Sequence, residues 1–435
     1  MSIARKSAFG FASQTYMMLV GLVMTIVVAR LLGPEGKGVI AVMGAMIAFS
    51  VGLASLGLAG AFGFLAGKER FPRPDLFWSM LSWSVLLGVV VSLVIWLLQD
   101  ALLASVLKGL TTVELLAVMI SLPSTYFNAF VTQAYVGYGR VVILAVLQSA
   151  TATLNLILIL ISTFVFHAGT TGAVLALSAS TVVASAVYAI AFGGVGALSF
   201  SRVRAVTADA LPYGLKGYVG GATNMFSLRA DVFFLNFFAG PAVVGIYSVA
   251  TNLAEKIWLL STPIGAAVYS QIAGSNKADA ARITCTTARA NLVMGLFASL
   301  GMLALSVPLI PIIYGQQFAP ATLYLAFLLP GTVALAVAGA FYTYWVAHLG
   351  QPGVTSAIAV ASAAASAFLY VALIPSLGAV GAAIGSTGSY SLSLVAYGFL
   401  FPRETGTSLQ DMYVPNRSDW ALYGSIVKRM AGRFR

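Results

Sequence analysis

Roughly twelve apolar runs cover this chain almost from end to end, each near the ~20 residues a helix needs to cross a bilayer, and the connectors between them are short. In hydrocarbon a backbone must satisfy its own hydrogen bonds, so runs of this length read as helices. The fold class that follows is all-α, a polytopic membrane protein. Composition excludes the soluble alternative: 60% of residues are hydrophobic and 8% are charged, against about 25% charged in a soluble globule. The runs predict helices over 9–32, 38–64, 76–98, 112–136, 141–164, 171–197, 212–238, 243–270, 283–309, 321–347, 353–374 and 379–401. The start, Met1 to Phe11, is too polar for a cleaved signal, so the first run is expected to stay as helix one. The single cysteine, Cys285, excludes an intrachain disulfide and a thiolate metal site.

The net charge of +11 is a statement about topology. With these helices, sixteen of the 23 basic residues fall on one side, among them Arg5, Lys6, Lys68, Arg70, Arg73, Arg140, Arg202, Arg204, Lys277, Arg282 and the six of the C-terminal tail. The other side holds Lys37, Lys108 and, at a helix end, Arg30. Cationic loops stay in the cytoplasm. Both termini are therefore expected in the cytoplasm, and nucleic acid is not an expected partner.

The sequence also repeats. LGPEGKGVIAV at 32–42 is echoed by AGPAVVGIYSV at 239–249, so that Gly33, Pro34, Gly38 and Val42 fall on Gly240, Pro241, Gly245 and Val249. Gly169, Gly172, Ala173 and Ser180 fall in the same way on Gly378, Gly381, Ala382 and Ser389. The offsets, 207 and 209, span six helices, an even number. Two six-helix lobes with the same orientation follow, 1–200 and 201–402, with a basic tail at 403–435. Parallel repeats of this kind place a ligand between lobes near the membrane midplane. In the tail, Trp420, Tyr423, Val427, Met430 and Phe434 recur at helical spacing among Lys428, Arg429, Arg433 and Arg435, the pattern of a helix lying on an anionic leaflet.

Charges inside the spans are the candidate functional groups, because a charge costs roughly 2.5–3.5 kcal/mol at the centre of a membrane helix. They concentrate in the second half: Lys216, Arg229 and Asp231 in the seventh helix, Glu255 and Lys256 near the middle of the eighth, and Arg289 in the ninth. Arg229 and Asp231 point about 200° apart and cannot pair with each other. Gly220-Gly221 is a candidate kink. Lys216, Arg229, Lys256 and Arg289 form a cationic set suited to an anionic ligand, phosphate above all. Asp231 and Glu255 are candidates for charge pairing or for proton or sodium coupling. Interhelical ion pairing and, for Lys216 and Arg289, anchoring at the interface are the structural alternatives. Asn155, Asn224, Asn236 and Asn291 read as interhelical glue. No phosphate-binding loop, metal-ligand spacing or nucleophile–base set is present, so neither an enzyme nor a bound cofactor is expected.

ARLLGPEGKG at 29–38, the R-x-D of Arg229 and Asp231, Gly240-Pro241 with GIYSVA at 245–250, GYGR at 137–140 and HAGTTGA at 167–173 resemble the polysaccharide-transporter family of Wzx-type flippases. That family belongs to the superfamily that also holds the MATE exporters, and the resemblance covers roughly residues 5–400. It implies twelve helices in two lobes in a bacterial or archaeal cytoplasmic membrane. It implies alternating access for polyprenyl-pyrophosphate-linked oligosaccharides, with polysaccharide assembly proteins and membrane lipids as partners. A cation-coupled drug exporter on the same fold, and a non-transporting scaffold acting through its tail, stay open beside it.

Overall fold

The computed structural model describes residues 3–193, 200–416 and 419. The predicted tail helix from Trp420 to Phe434 lies outside the described residues. In chain order the helices are α1 (Ile3–Ala54), α2 (Leu58–Gly67), α3 (Arg73–Leu97), α4 (Gln99–Ala104), α5 (Thr112–Gly137), α6 (Val141–Leu160), α7 (Gly169–Phe192), α8 (Phe200–Ala239), α9 (Pro241–Leu259), α10 (Thr262–Gly274), α11 (Lys277–Tyr314), α12 (Ala321–Thr343), α13 (Pro352–Leu377), α14 (Ala379–Thr405) and α15 (Leu409–Tyr413). Single π-helical turns extend α6 over Ile161–Val165 and α12 over Tyr344–His348. No strand occurs among the described residues. Nine stretches among them are long and apolar enough to cross a membrane.

Several predicted boundaries move for local reasons. The first two predicted helices share α1, bent at Gly33 (φ 67°, ψ −172°), where Pro34 restarts the helix. That backbone region is essentially open to glycine alone. The predicted helix 38–64 breaks again at Leu56 and Gly57, both at positive φ. The predicted helix 243–270 is two pieces, α9 and α10, parted at Leu260 and Ser261, with Pro263 in the first turn of α10. Conversely, α8 starts twelve residues early and runs helically through Gly220 and Gly221, so the candidate kink is not there.

Backbone conformation adds further matches to the sequence echoes. Among the described residues, eleven glycines have positive φ. Ten of them pair at a near-constant offset: Gly33 with Gly240, Gly109 with Gly315, Gly139 with Gly350, Gly169 with Gly378, and Gly193 with Gly406. Each pair lies at a junction between helices at the corresponding place in the two halves.

The chain divides into two compact units, Met1–Ile246 with Ile313–Gln317, and Tyr247–Ile312 with Phe318–Arg435. The first unit takes in α8, which packs on helices of the first half. Phe49 of α1 meets Phe226 and Phe233 of α8, at centroid distances of 6.0 and 5.3 Å. Trp83 of α3 donates its indole N–H to Thr207.

Within the first unit the repeat is visible as reciprocal contacts. A Cβ on Gly38 would overlap the Pro241 carbonyl, and one on Gly245 would overlap the Pro34 carbonyl. These are equivalent positions 207 residues apart, so two helix starts cross backbone to backbone. Close by in sequence, Asn236 donates to the Val106 and Lys108 carbonyls (3.0 Å each), and Lys108 donates to the Phe237 carbonyl (2.7 Å). The equivalent latch has Arg30 donating to the Ile313 carbonyl at 2.9 Å. Arg30, at the end of the first predicted helix, thus caps the end of α11. At the opposite ends of these helices, Arg70 pairs with Asp209 (3.1 Å) and Arg202 with Asp75 (3.5 Å). Two basic connectors assigned to one side of the membrane therefore do meet. Other spans pack through small residues, as membrane helices do: Gly63 against Gly137, and Gly88 against Pro123.

The second unit is built on α12, α13 and α14. Ser386 bonds Tyr370 (2.9 Å), Ser389 donates to the Ser362 carbonyl, and Gly331 lets Thr387 approach. Its end is strapped down. Arg289 of α11 is 5% exposed, donates to both Asp419 carboxylate oxygens at 2.6 and 3.1 Å, and donates to the Asp411 carbonyl. Removing one partner of such a buried pair costs about 3–5 kcal/mol, and Asp419→Asn is expected to lower stability on that scale, read as thermal unfolding in detergent. Burial alone would raise the Asp419 pKa. The Arg289 hydrogen bonds, the Asn416 N–H and the Arg289 charge outweigh it and hold the carboxyl below the usual range. With a depressed folded pKa, this stabilisation is complete above about pH 4 and is lost as pH falls through the folded value. Asp419→Asn should remove that acid dependence.

Candidate functional site

α8, predicted as the seventh span, is not among the nine stretches long and apolar enough to cross a membrane, and it has two unlike faces. Gly214, Tyr218 and Met225 form one of them. Gly214 abuts Gly57, Tyr218 donates its hydroxyl to the Leu53 carbonyl, and Met225 lies against Gly52. This face is committed to α1 and the α1–α2 turn. About 160–200° around the helix from it stands Lys216, at 100° per residue. Gly220, Thr223, Asn224, Ser227 and Asp231 fall within about 80° of Lys216 on the same wheel. They form a stripe of polar and small residues along the helix. Lys216 and Asn224 are exposed, Ser227 is half-buried, and Asp231 is 5% exposed. Hydrocarbon offers such a stripe no partners, so its groups belong against water, a polar ligand or protein.

This placement divides the predicted set. Lys216 and Asp231 share a face. Arg229, half-buried, is on the other, about 20° from the line of Tyr218. Asp231 accepts a hydrogen bond from the Val232 N–H at 2.8 Å. Both Arg229 and Asp231 have further partners.

In the second unit, Glu255 and Lys256 sit in the last turns of α9, next to its break from α10. They were expected in the middle of one continuous helix; Pro263 and Ser261 end it sooner. Lys256 is exposed, and Asn252, one turn earlier on the same face, is exposed too. Asn252 donates to the Ser248 carbonyl at 2.6 Å. Glu255 is half-buried. Arg289, predicted as substrate-binding, has its guanidinium enclosed by Asp419 and the Asp411 carbonyl. Three of the four amides act as glue: Asn155 with Ser180, Asn236 with the 106–108 turn, and Asn291 with the Ala336 carbonyl at 2.9 Å. Asn224 lies on the stripe.

Two features escaped the sequence. The stripe was missed because Gly220-Gly221 suggested a kink, which would have broken the register that lines these residues up. Lys37 was placed in an exposed outer connector, yet it is 6% exposed. The helix restarts at Pro34 without a loop, which carries Lys37 inside. No group of three or more metal-ligating side chains occurs among the described residues.

Residues 3–273 match the family model described as polysaccharide biosynthesis protein. A curated relative, the "Probable low-salt glycan biosynthesis flippase Agl15" of Haloferax volcanii, is 25% identical over 189 residues, 42% of this chain and 39% of that protein. The chain thus matches well under half the length of that relative. Among solved structures, the lipid II flippase MurJ in an inward closed conformation aligns with a TM-score of 0.74 at 12% identity, over 93% of this chain and 88% of that one. A multidrug resistance MATE family transporter in its inward-facing conformation aligns with 0.68 at 16% identity, over 89% and 94%. At these identities the structures establish the fold alone.

Proposed function

We propose that this chain, which belongs to the polysaccharide biosynthesis protein family, is a flippase for polyprenyl-pyrophosphate-linked oligosaccharide repeat units. It would move them across the cytoplasmic membrane by alternating access, for O-antigen, capsule or exopolysaccharide synthesis. The observation that carries this reading is the α8 stripe. Asn224, Thr223 and Ser227 offer donors and acceptors that match sugar hydroxyls, and the exposed ammonium of Lys216 matches a diphosphate. Lys256, in the second unit, is the other exposed cation of the predicted set. Asp231 and Glu255 are the groups at which a proton or sodium ion would act. Arg229 lies on the face of α8 that carries Tyr218 and is read as a packing residue. The flippase names of the glycan relative and of the lipid II structure support the substrate class. A cation-coupled drug exporter shares the fold, but cationic cargo favours a carboxylate-dominated surface, and the exposed charges on these two faces are lysines.

The test is mass spectrometry of lipid extracts from cells depleted of the protein. Build-up of a polyprenyl-pyrophosphate oligosaccharide, relieved by the wild-type chain, is the expected result and would identify the glycan. An unchanged lipid profile with altered drug sensitivity would transfer the assignment to drug export.

A further inference from the structure

We infer that the turn between α5 and α6 carries a binding site for a phosphate-type oxyanion, made by the guanidinium groups of Arg140 and Arg73 and the hydroxyl of Tyr135. The site stands without the flippase reading; only a glycan diphosphate as its occupant rests on that reading.

α5 runs out in the stretch GYGR at 137–140. Gly139 takes φ 64°, its N–H bonds the Val136 carbonyl at 3.0 Å, and the Arg140 N–H bonds the Tyr135 carbonyl at 3.0 Å. This is a glycine-closed helix end, and it folds the Arg140 backbone back beside Tyr135. The second half makes the corresponding turn at Gly350, where the Gln351 N–H bonds the Trp345 carbonyl at 2.9 Å. The turn itself therefore does not require an arginine. Gly137 lies against the Gly63 carbonyl, which brings the end of α2 and its connector to Arg73 alongside. The Arg73 guanidinium stands over the Tyr138 ring, 5.1 Å from its centroid. Phe192 packs on the rings of Tyr135 and Tyr138, at 5.7 and 6.2 Å, and holds both in place.

Tyr135 is 1% exposed, and its hydroxyl has no hydrogen-bond partner. A hydroxyl buried in this way loses water and gains nothing in return. The charges of Arg140 and Arg73 both act on it, Arg140 the more strongly, so the three groups share one neighbourhood. Among the described residues neither arginine is in an ion pair. Asp75, in the first turn of α3, pairs with Arg202 at 3.5 Å, and Glu69 is exposed and pairs with neither. α6 begins at Arg140 with no side-chain cap and no acid in its first turn, so the positive end of its dipole adds to the two cations. Both arginines are half-exposed, and an oxyanion reaching them from outside accepts charge-assisted bonds from guanidinium and a further bond from the Tyr135 O–H. The connectors that hold Arg73 and Arg140 are basic and were assigned to the cytoplasmic side. Two sources there carry the matching chemistry, the headgroup of an anionic phospholipid and the diphosphate of a lipid-linked glycan.

The test follows thermal unfolding of the full chain in nanodiscs, in phosphatidylcholine with and without inorganic pyrophosphate, and again with phosphatidylglycerol mixed in. Wild type should melt higher with at least one of these anions. Arg140→Gln, which installs the side chain found at the corresponding turn, and Tyr135→Phe should each need roughly tenfold more anion for the same shift, the scale of one hydrogen bond to a charged group. Lys68→Gln removes an exposed charge from the connector that leads to Arg73 and should shift as wild type does. Without added anion, Tyr135→Phe should be at least as heat-stable as wild type, since it removes a buried hydroxyl that has no partner. A shift from phosphatidylglycerol alone assigns the phospholipid headgroup, and a shift from pyrophosphate in phosphatidylcholine assigns the diphosphate. No shift in wild type, or wild-type shifts in both Arg140→Gln and Tyr135→Phe, would overturn the site, as would a loss in Lys68→Gln equal to that in Arg140→Gln. These shifts are read without any glycan, so a failure of the flippase reading in depleted cells leaves them standing, and their failure leaves that reading intact.

Discussion

Gly38→Ala is expected to destabilise the protein by about 3 kcal/mol, the upper end of what overpacking costs, whereas Gly44→Ala on the same helix should be neutral or stabilise it by up to about 1 kcal/mol. The difference lies in what a methyl group would meet. At Gly38 it overlaps the carbonyl of Pro241, a backbone atom that cannot swing aside, and the next obstacle is the Gly245 nitrogen at 3.1 Å. At Gly44 nothing lies within 4 Å, and the residue is helical and exposed. The reciprocal variant Gly245→Ala meets Pro34 in the same way and should cost a similar amount. Because both methyl groups push the same two helix starts apart, the double variant should cost clearly less than the sum of the singles. Thermal unfolding of the four proteins in one detergent tests this. If Gly38→Ala melts with Gly44→Ala, the backbone crossing is wrong, and the repeat is a likeness of turns without a shared contact.

The same positions show how far a single sequence carries. Gly33, Pro34 and Gly38 were matched to Gly240, Pro241 and Gly245 by spacing alone, because a turn between two membrane helices leaves little choice of residue. What spacing could not show is that equivalent residues touch, since contact depends on packing between segments about 200 residues apart. The buried charges show a second limit. Hydropathy identified Lys216, Arg229, Asp231, Glu255, Lys256 and Arg289 as unusual, but a charge in an apolar run looks the same whether it faces a hydrated space, packs against a helix or holds down a tail. Arg289 is the instructive case. Its partner Asp419 lies 130 residues away in a segment that read as a basic surface helix. Lys37 is the converse: a lysine between two glycines beside a proline reads as an exposed loop, and only the helix restart at Pro34 encloses it.

Lys216→Ala and Arg229→Ala should fail in different ways, and the contrast tests the division of α8 into a binding face and a packing face. Lys216 is exposed, shares its face with Asn224 and Asp231, and stands opposite the α1 contact. Its loss should reduce glycan export by on the order of tenfold or more, as for removal of a charge that meets a desolvated diphosphate, while the amount of folded protein stays at the wild-type level. Lys216→Arg keeps the charge and should restore most of the export. Arg229 is half-buried, has a partner, and lies on the face of α8 that carries Tyr218. Its truncation should lower the yield and thermal stability of the protein, with export falling in proportion to the folded amount, and Arg229→Lys should not recover both. The measurements are export per folded molecule, with abundance read by fluorescence-detected size exclusion. A per-molecule defect in Arg229→Ala that equals or exceeds that of Lys216→Ala would place the anion on the opposite face of α8. Equal per-molecule export in both variants and in wild type would remove α8 from ligand contact, and the polar stripe would then serve only to hydrate the helix.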